Sequence, residues 1–176
     1  MAISSKRQQQ KKAKKQLKRK QRTSALKPIQ TSRYLSPIIA SYVYRDIWQK
    51  GIGTVLIVRR LPNGNLLLAN YLVDTWCLGV KDAFVREVSR AMLEQFLSQQ
   101  PMEPQSPEYC KALVMGAIEY GKTNGLNPNI DKKSKQMIAG IKYTPDQYQF
   151  EFGKDGEPFY INGPYDSELI PAMLAK

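Results

Sequence analysis

The chain has no histidine and only two cysteines, Cys77 and Cys110, with no CxxC pair. Without imidazole, Ser-His-Asp and Cys-His nucleophile systems lack their base. Zinc sites that require histidine cannot form within one chain. Two distant cysteines argue against a disulfide framework and point to a reducing compartment, here read as the cytoplasm. No apolar run approaches the ~20 residues that span a bilayer, so no membrane partner is expected. The basic N-terminus is not followed by an apolar core, which excludes a secretory signal.

Acidic residues are absent from the first 45 positions; the first is Asp46. Of the 27 Lys and Arg residues, twelve lie within residues 1–35, leaving 15 to face all 15 Asp and Glu. The net charge of +12 therefore belongs wholly to the N-terminal arm. Twelve like charges repel, and Leu17, Leu26 and Ile29 give little apolar cover, so an arm disordered when free is expected. Against phosphates the sign of the effect reverses, because each neutralised phosphate releases condensed counterions. Lys6, Arg7, Lys11, Lys12, Lys14, Lys15, Lys18, Arg19, Lys20 and Arg22 are the candidate nucleic-acid contacts. Gln8–Arg22 is rich in helix formers and is expected to turn helical once neutralised. A solubility tail or an address signal would have a similar composition. A membrane-surface helix fits less well, since that stretch carries a single leucine.

The 176-residue length and 42% apolar content suit one ordinary domain behind the arm. The reading is a basic arm and linker over 1–35 and a single α+β domain over 36–176. Ser36-Pro37, with Ile38, Ile39, Tyr42, Val43 and Ile47 near helical spacing, predicts a helix over 37–49 stopped by Gly51. Two apolar strands, 53–60 and 66–73, flank Asn63-Gly64, the strongest short hairpin signal. Their near-continuous apolar character implies a sheet covered on at least one face. A turn spans Asp74–Asp82. A helix is expected from Asp82 to Gln99, with Phe84, Val85, Val88, Met92 and Phe96 inward. Residues 101–107 read as a connector. Ser106-Pro107 then starts a helix ending near Gly125, and a short helix comes next over 131–139. Tyr148–Phe152 and Glu157–Ile161 read as a second hairpin, with Asp166 or Ser167 capping a last helix. Strands and helices in blocks favour α+β with antiparallel hairpins.

The turn Asp74–Asp82 concentrates chemistry at an element junction. Asp74 and Asp82 could hold Mg²⁺ if Glu119 or Asp166 joined them, as a nuclease requires. The competing reading is architectural: Asp82 caps a helix, Gly79 adopts positive φ, and Trp76 and Leu78 enter the core. Cys77 could be activated only by Lys81 or a helix N-terminus and otherwise reads as a buried thiol. Glu151-Phe-Gly-Lys154 has no partner aspartate and fits a turn better than a metal-dependent nuclease element. Gly51-Ile-Gly53 precedes a strand, so it is no dinucleotide loop. Tyr148, Tyr160 and Tyr165 could stack on bases or simply pack. No cofactor or metal is expected.

Tyr71–Phe84 (YLVDTWCLGVKDAF), Gly116–Tyr120 (GAIEY) and Phe152–Asp166 (FGKDGEPFYINGPYD) resemble a family of uncharacterised bacterial proteins. The resemblance covers most of residues 51–166 and leaves out the arm. It implies a bacterial cytosolic protein and transfers no catalytic residue, because the family has no assigned activity. The expected function is a non-enzymatic nucleic-acid-binding accessory protein. RNA is favoured over DNA, with a protein or ribonucleoprotein partner for the folded domain. The alternatives are an Mg-dependent nuclease or phosphodiesterase using Asp74 and Asp82, and a protein-interaction module with an address tail.

Overall fold

The computed structural model describes residues 33–161. The chain divides after Arg33 into two units, and the strands and α-helices described belong to the second. The candidate cations Lys6–Arg22, the Gln8–Arg22 helix and the cap at Asp166 or Ser167 lie outside the described residues.

The elements are β1 (Ile38–Tyr44), α1 (Ile47–Lys50), β2 (Ile52–Arg60), β3 (Leu66–Asp74), β4 (Gly79–Val88), α2 (Arg90–Gln99), β5 (Met102–Pro104), α3 (Pro107–Thr123) and α4 (Lys132–Ala139). All five strands form one antiparallel sheet in the order β4-β3-β2-β1-β5. The fold is α+β, as expected. Alternating residues of β2 and β3 point to opposite faces, and helices cover both. Val55, Ile57, Leu67, Ala69, Tyr71 and Val73 meet Cys110, Leu113, Val114 and Ala117 of α3 and Met137 and Ile138 of α4. On the other face, Leu56, Val58, Leu66 and Leu68 pack with Leu93, Phe96 and Leu97 of α2. This double cover explains why Val55–Val58 are all fully buried. Each such side chain contributes about 1.5–3 kcal/mol.

Local signals set several boundaries. The Asn63-Gly64 turn closes the β2–β3 hairpin, with Gly64 at φ +84° and Leu61 N–H donating to Asn65 O at 2.9 Å. The Ser106 hydroxyl accepts from Tyr109 N–H at 3.1 Å, capping α3 ahead of Pro107. Asp131 does the same for α4 through Ser134 N–H at 2.7 Å.

Several expectations need correction. The helix predicted over 37–49 is strand β1, and only its last turn is helical, as α1. A bulge between Ile38 and Ala40 shifts the side-chain phase, so apolar residues recur at a helix-like interval. The helix predicted from Asp82 begins at Arg90 instead, capped by Ser89, because Gly79–Val88 is strand β4. A second bulge, where Leu72 and Val73 face Asp82 and Val80, again disturbs the alternation. Phe84 and Met92 are therefore exposed, and Leu93 is buried on α2. The connector 101–107 contains edge strand β5. Residues 148–161 form no strand pair; the ladder contact there is an isolated bridge between Lys154 and Glu157.

The β3–β4 turn is pressed onto α3 at a glycine contact. A Cβ on Gly79 would lie 2.1 Å from Ala117 O, and one on Gly121 would lie 2.6 Å from Leu78 O. Gly79 has φ +71° and Gly64 has φ +84°, but Gly64 faces open space. Gly64→Ala should therefore cost only the left-handed backbone penalty, about 1–2 kcal/mol. Gly79→Ala should cost at least ~2 kcal/mol more, because backbone must also move. Urea unfolding of both variants checks this difference.

Candidate functional site

The turn Asp74–Gly79 combines local and long-range hydrogen bonds. Asp74 is buried, and one oxygen of its carboxylate accepts from Trp76 N–H at 3.0 Å and Cys77 N–H at 2.8 Å. This self-closing loop is the Asx turn that aspartate favours. Burial pushes the Asp74 carboxyl above its usual range, and the backbone bonds partly offset that. Thr75 N–H donates to Gly51 O at 2.7 Å and its hydroxyl to Ile47 O at 3.2 Å, tying the turn to α1. The Trp76 indole lies against Gly51 and donates to Trp48 O at 3.2 Å. Asn124 Nδ2 donates to Cys77 O at 3.0 Å.

Segments distant in the sequence, Gly116–Tyr120 and residues 152–161, meet at this turn. Tyr120, from α3, donates to Trp76 O at 3.0 Å. Phe159 N–H donates to the same oxygen at 2.9 Å, and Gly153 N–H donates to Thr75 O at 2.8 Å. A Cβ on Gly116 would come within 3.0 Å of Phe152, so the glycine lets that ring approach the helix closely. Residues 148–161 thus form a strap held by rings rather than by strand pairing. Tyr148, Phe150 and Phe152 dock in sequence against Tyr109, Trp48 and Tyr120, with ring centroids 5.1–5.7 Å apart. Lys154 sits over Phe159 and Trp76 at 4.4 and 5.2 Å.

The sequence candidates now have places. Asp74 closes the turn. Asp82 is exposed on β4, opposite Leu72, where it bonds Ala83 N–H at 2.9 Å; it caps no helix. Glu119 pairs with Lys122 at 2.7 Å, and Asp166 lies outside the described residues. Among the described residues, no three Asp, Glu or Cys side chains gather where they could hold a metal ion. Cys77 is buried, and burial pushes its thiol up to about 11, the opposite of what a nucleophile needs. Cys110 is likewise buried and raised, to about 12. Gly79 has the expected positive φ and Leu78 is buried, while Trp76 is only half-buried. Glu151-Phe-Gly-Lys154 leads into a turn with Gly153 at φ +93°.

A cavity that sequence spacing could not show opens beside the strap. It has a volume of about 410 Å³ and is lined by Trp48, Tyr109, Tyr148 and Phe150 together with Gln147, Gln149 and Glu151. Aromatic faces beside amides and a carboxylate can stack on a flat heterocycle and bond its edges. Tyr148 is among the tyrosines that the sequence offers for stacking, whereas Trp48 and the glutamines carry no sequence signal. Tyr165 lies outside the described residues. No helix among the described residues is long and apolar enough to cross a membrane.

The Asp74 geometry separates architecture from charge. In Asp74→Asn the amide oxygen keeps both N–H bonds, so stability should stay within about 1 kcal/mol of the parent at neutral pH. Asp74→Ala leaves two buried donors unpaired and should cost on the order of 2–4 kcal/mol. Because the folded pKa of Asp74 exceeds the unfolded one, its contribution to stability falls as pH rises through the window between them. Asp74→Asn should remove that component, which thermal melts across roughly pH 3–7 would report. No family model, curated protein or solved structure matches the chain.

Proposed function

We propose that this protein is a non-enzymatic nucleic-acid-binding accessory protein, with RNA as the favoured ligand and a ribonucleoprotein as its setting. The single observation behind this reading is the placement of twelve cations and no acid within residues 1–35, on a chain whose remaining charges cancel. Such an arm gains most from a dense row of phosphates, through counterion release. The cavity beside Tyr148 supports the same reading, because it offers a stacking platform with edge-bonding amides to an unpaired base. Phosphate grip and base stacking then belong to separate parts of the chain. The resemblance of the folded domain adds a bacterial, cytoplasmic setting. For a nuclease, Asp74 would have to give up the two backbone N–H groups that its carboxylate satisfies.

With about 6–10 phosphate contacts, affinity for RNA should fall by about 10³–10⁵ between roughly 50 and 200 mM salt. Deleting residues 1–28 should flatten that slope. Filter binding of the two proteins over a salt series decides it, and an unchanged slope would overturn the reading. Tyr148→Ala should weaken binding to a single strand by about tenfold, the loss of one stacked base. It should do so at every salt concentration, leaving the slope intact, and Tyr148→Phe should restore affinity.

A further inference from the structure

Helix α4 is fastened to the sheet by side chains that reach its carbonyl groups. Arg59, buried on β2, donates to Met137 O at 2.9 Å, and the Tyr71 hydroxyl donates to Ser134 O at 2.8 Å. From α3, Lys111 donates to Ile141 O just beyond the helix. Two donors thus hold this short helix on the sheet, and a third ties the segment after it to α3. The two helices do not close completely. Between them lies a second cavity, of about 440 Å³, within the 300–1,000 Å³ range typical of small-molecule sites.

The walls and the rim of this cavity differ in character. Met115, Ile118, Ile130 and Ile138 make the walls apolar. Lys111, Lys122 and Lys135 stand around it with a single acid, Glu119. Glu119 is taken up by Lys122 at 2.7 Å. The Lys111 ammonium lies 5.0 Å from the centroid of the Tyr143 ring, and burial lowers its pKa. The Lys135 side chain is exposed, and its ammonium has no hydrogen-bond or ion-pair partner among the described residues. An apolar slot with surplus cations at its mouth complements a molecule with an apolar body and one anionic end. A nucleotide suits it poorly, because the walls offer no amide to bond a base edge.

We propose that the groove between α3 and α4 binds a small amphipathic anion. Its hydrocarbon part lies between the helices, and its carboxylate or phosphate faces Lys135 and Lys111. This site shares no lining residue with the Tyr148 cavity, and it stands whether or not the protein binds RNA.

The test uses the full chain and three probes that share one tail: octanoate, octyl phosphate and octanol. Isothermal titration should show saturable binding, with at least one of the two anions about three- to fivefold tighter than the alcohol, as expected for an exposed charge contact. The ratio of octanoate to octyl phosphate identifies the headgroup. Lys135→Glu should abolish the preference for anion over alcohol while leaving octanol affinity unchanged. Ala139→Trp, at an exposed position lining the groove, should fill the slot and remove binding of all three probes. These variants also separate the groove from the cationic arm, whose sequence both leave unchanged. No saturable binding, equal affinity for octanol and both anions, or retention of binding in Ala139→Trp would each overturn the proposal.

Discussion

The folded domain depends on one close approach. The β3–β4 turn sits so near α3 that only hydrogen fits at Gly79 and Gly121, where a methyl group would enter backbone atoms. That proximity places the carbonyl groups of Thr75, Trp76 and Cys77 within reach of donors from three other segments. Buried carbonyl groups need partners, and here the partners come from α3, from the residue just after it and from the aromatic strap. The turn therefore substitutes for strand pairing in organising residues 148–161. It also explains the density of Asp, Trp, Cys and Gly there without invoking chemistry: the aspartate closes the turn, the indole covers Gly51, and the thiol is buried.

The two cavities arise from how the same helix is used on different sides. One side of α3, with Tyr109, Gly116 and Tyr120, receives the strap, and the aromatic cavity opens at the end of that contact. Another side, with Lys111, Met115 and Ile118, faces α4 across the apolar groove. Their linings imply different ligands. Rings with amides suit a flat polar heterocycle, and aliphatic walls with lysines suit a hydrocarbon anion. Asp74, whose buried carboxylate is committed to backbone N–H groups, lines neither cavity.

The elements legible in the sequence are those whose signal is local. The Asn63-Gly64 hairpin, the Ser106-Pro107 start of α3 and the short helix after Asp131 depend on residues within a few positions of one another. β1 and β4 read as helices because each carries a bulge, and one extra residue converts a period of two into a mixture that mimics 3.6. The alternating Tyr148, Phe150 and Phe152 read as a strand for the same kind of reason. Alternation reports two unlike faces, and a strap lying on a helix has two unlike faces without any partner strand. At the candidate sites, Asp74 and Tyr148 are visible as residue types. Trp48, Gln149 and Lys135 are not, because nothing in linear spacing brings α1, the strap or α4 beside α3.

Charge asymmetry, the lack of imidazole chemistry and the α+β class could all be read before any folding, since they depend on composition and on order along the chain. Which polar groups are free to act was settled only by the packed molecule. Packing closed the Asp74 carboxylate on two amides, buried both thiols, and opened cavities beside Tyr148 and Lys135. The physical reason is that charge and composition add up residue by residue, whereas burial and hydrogen-bond satisfaction are set by neighbours distant in the chain.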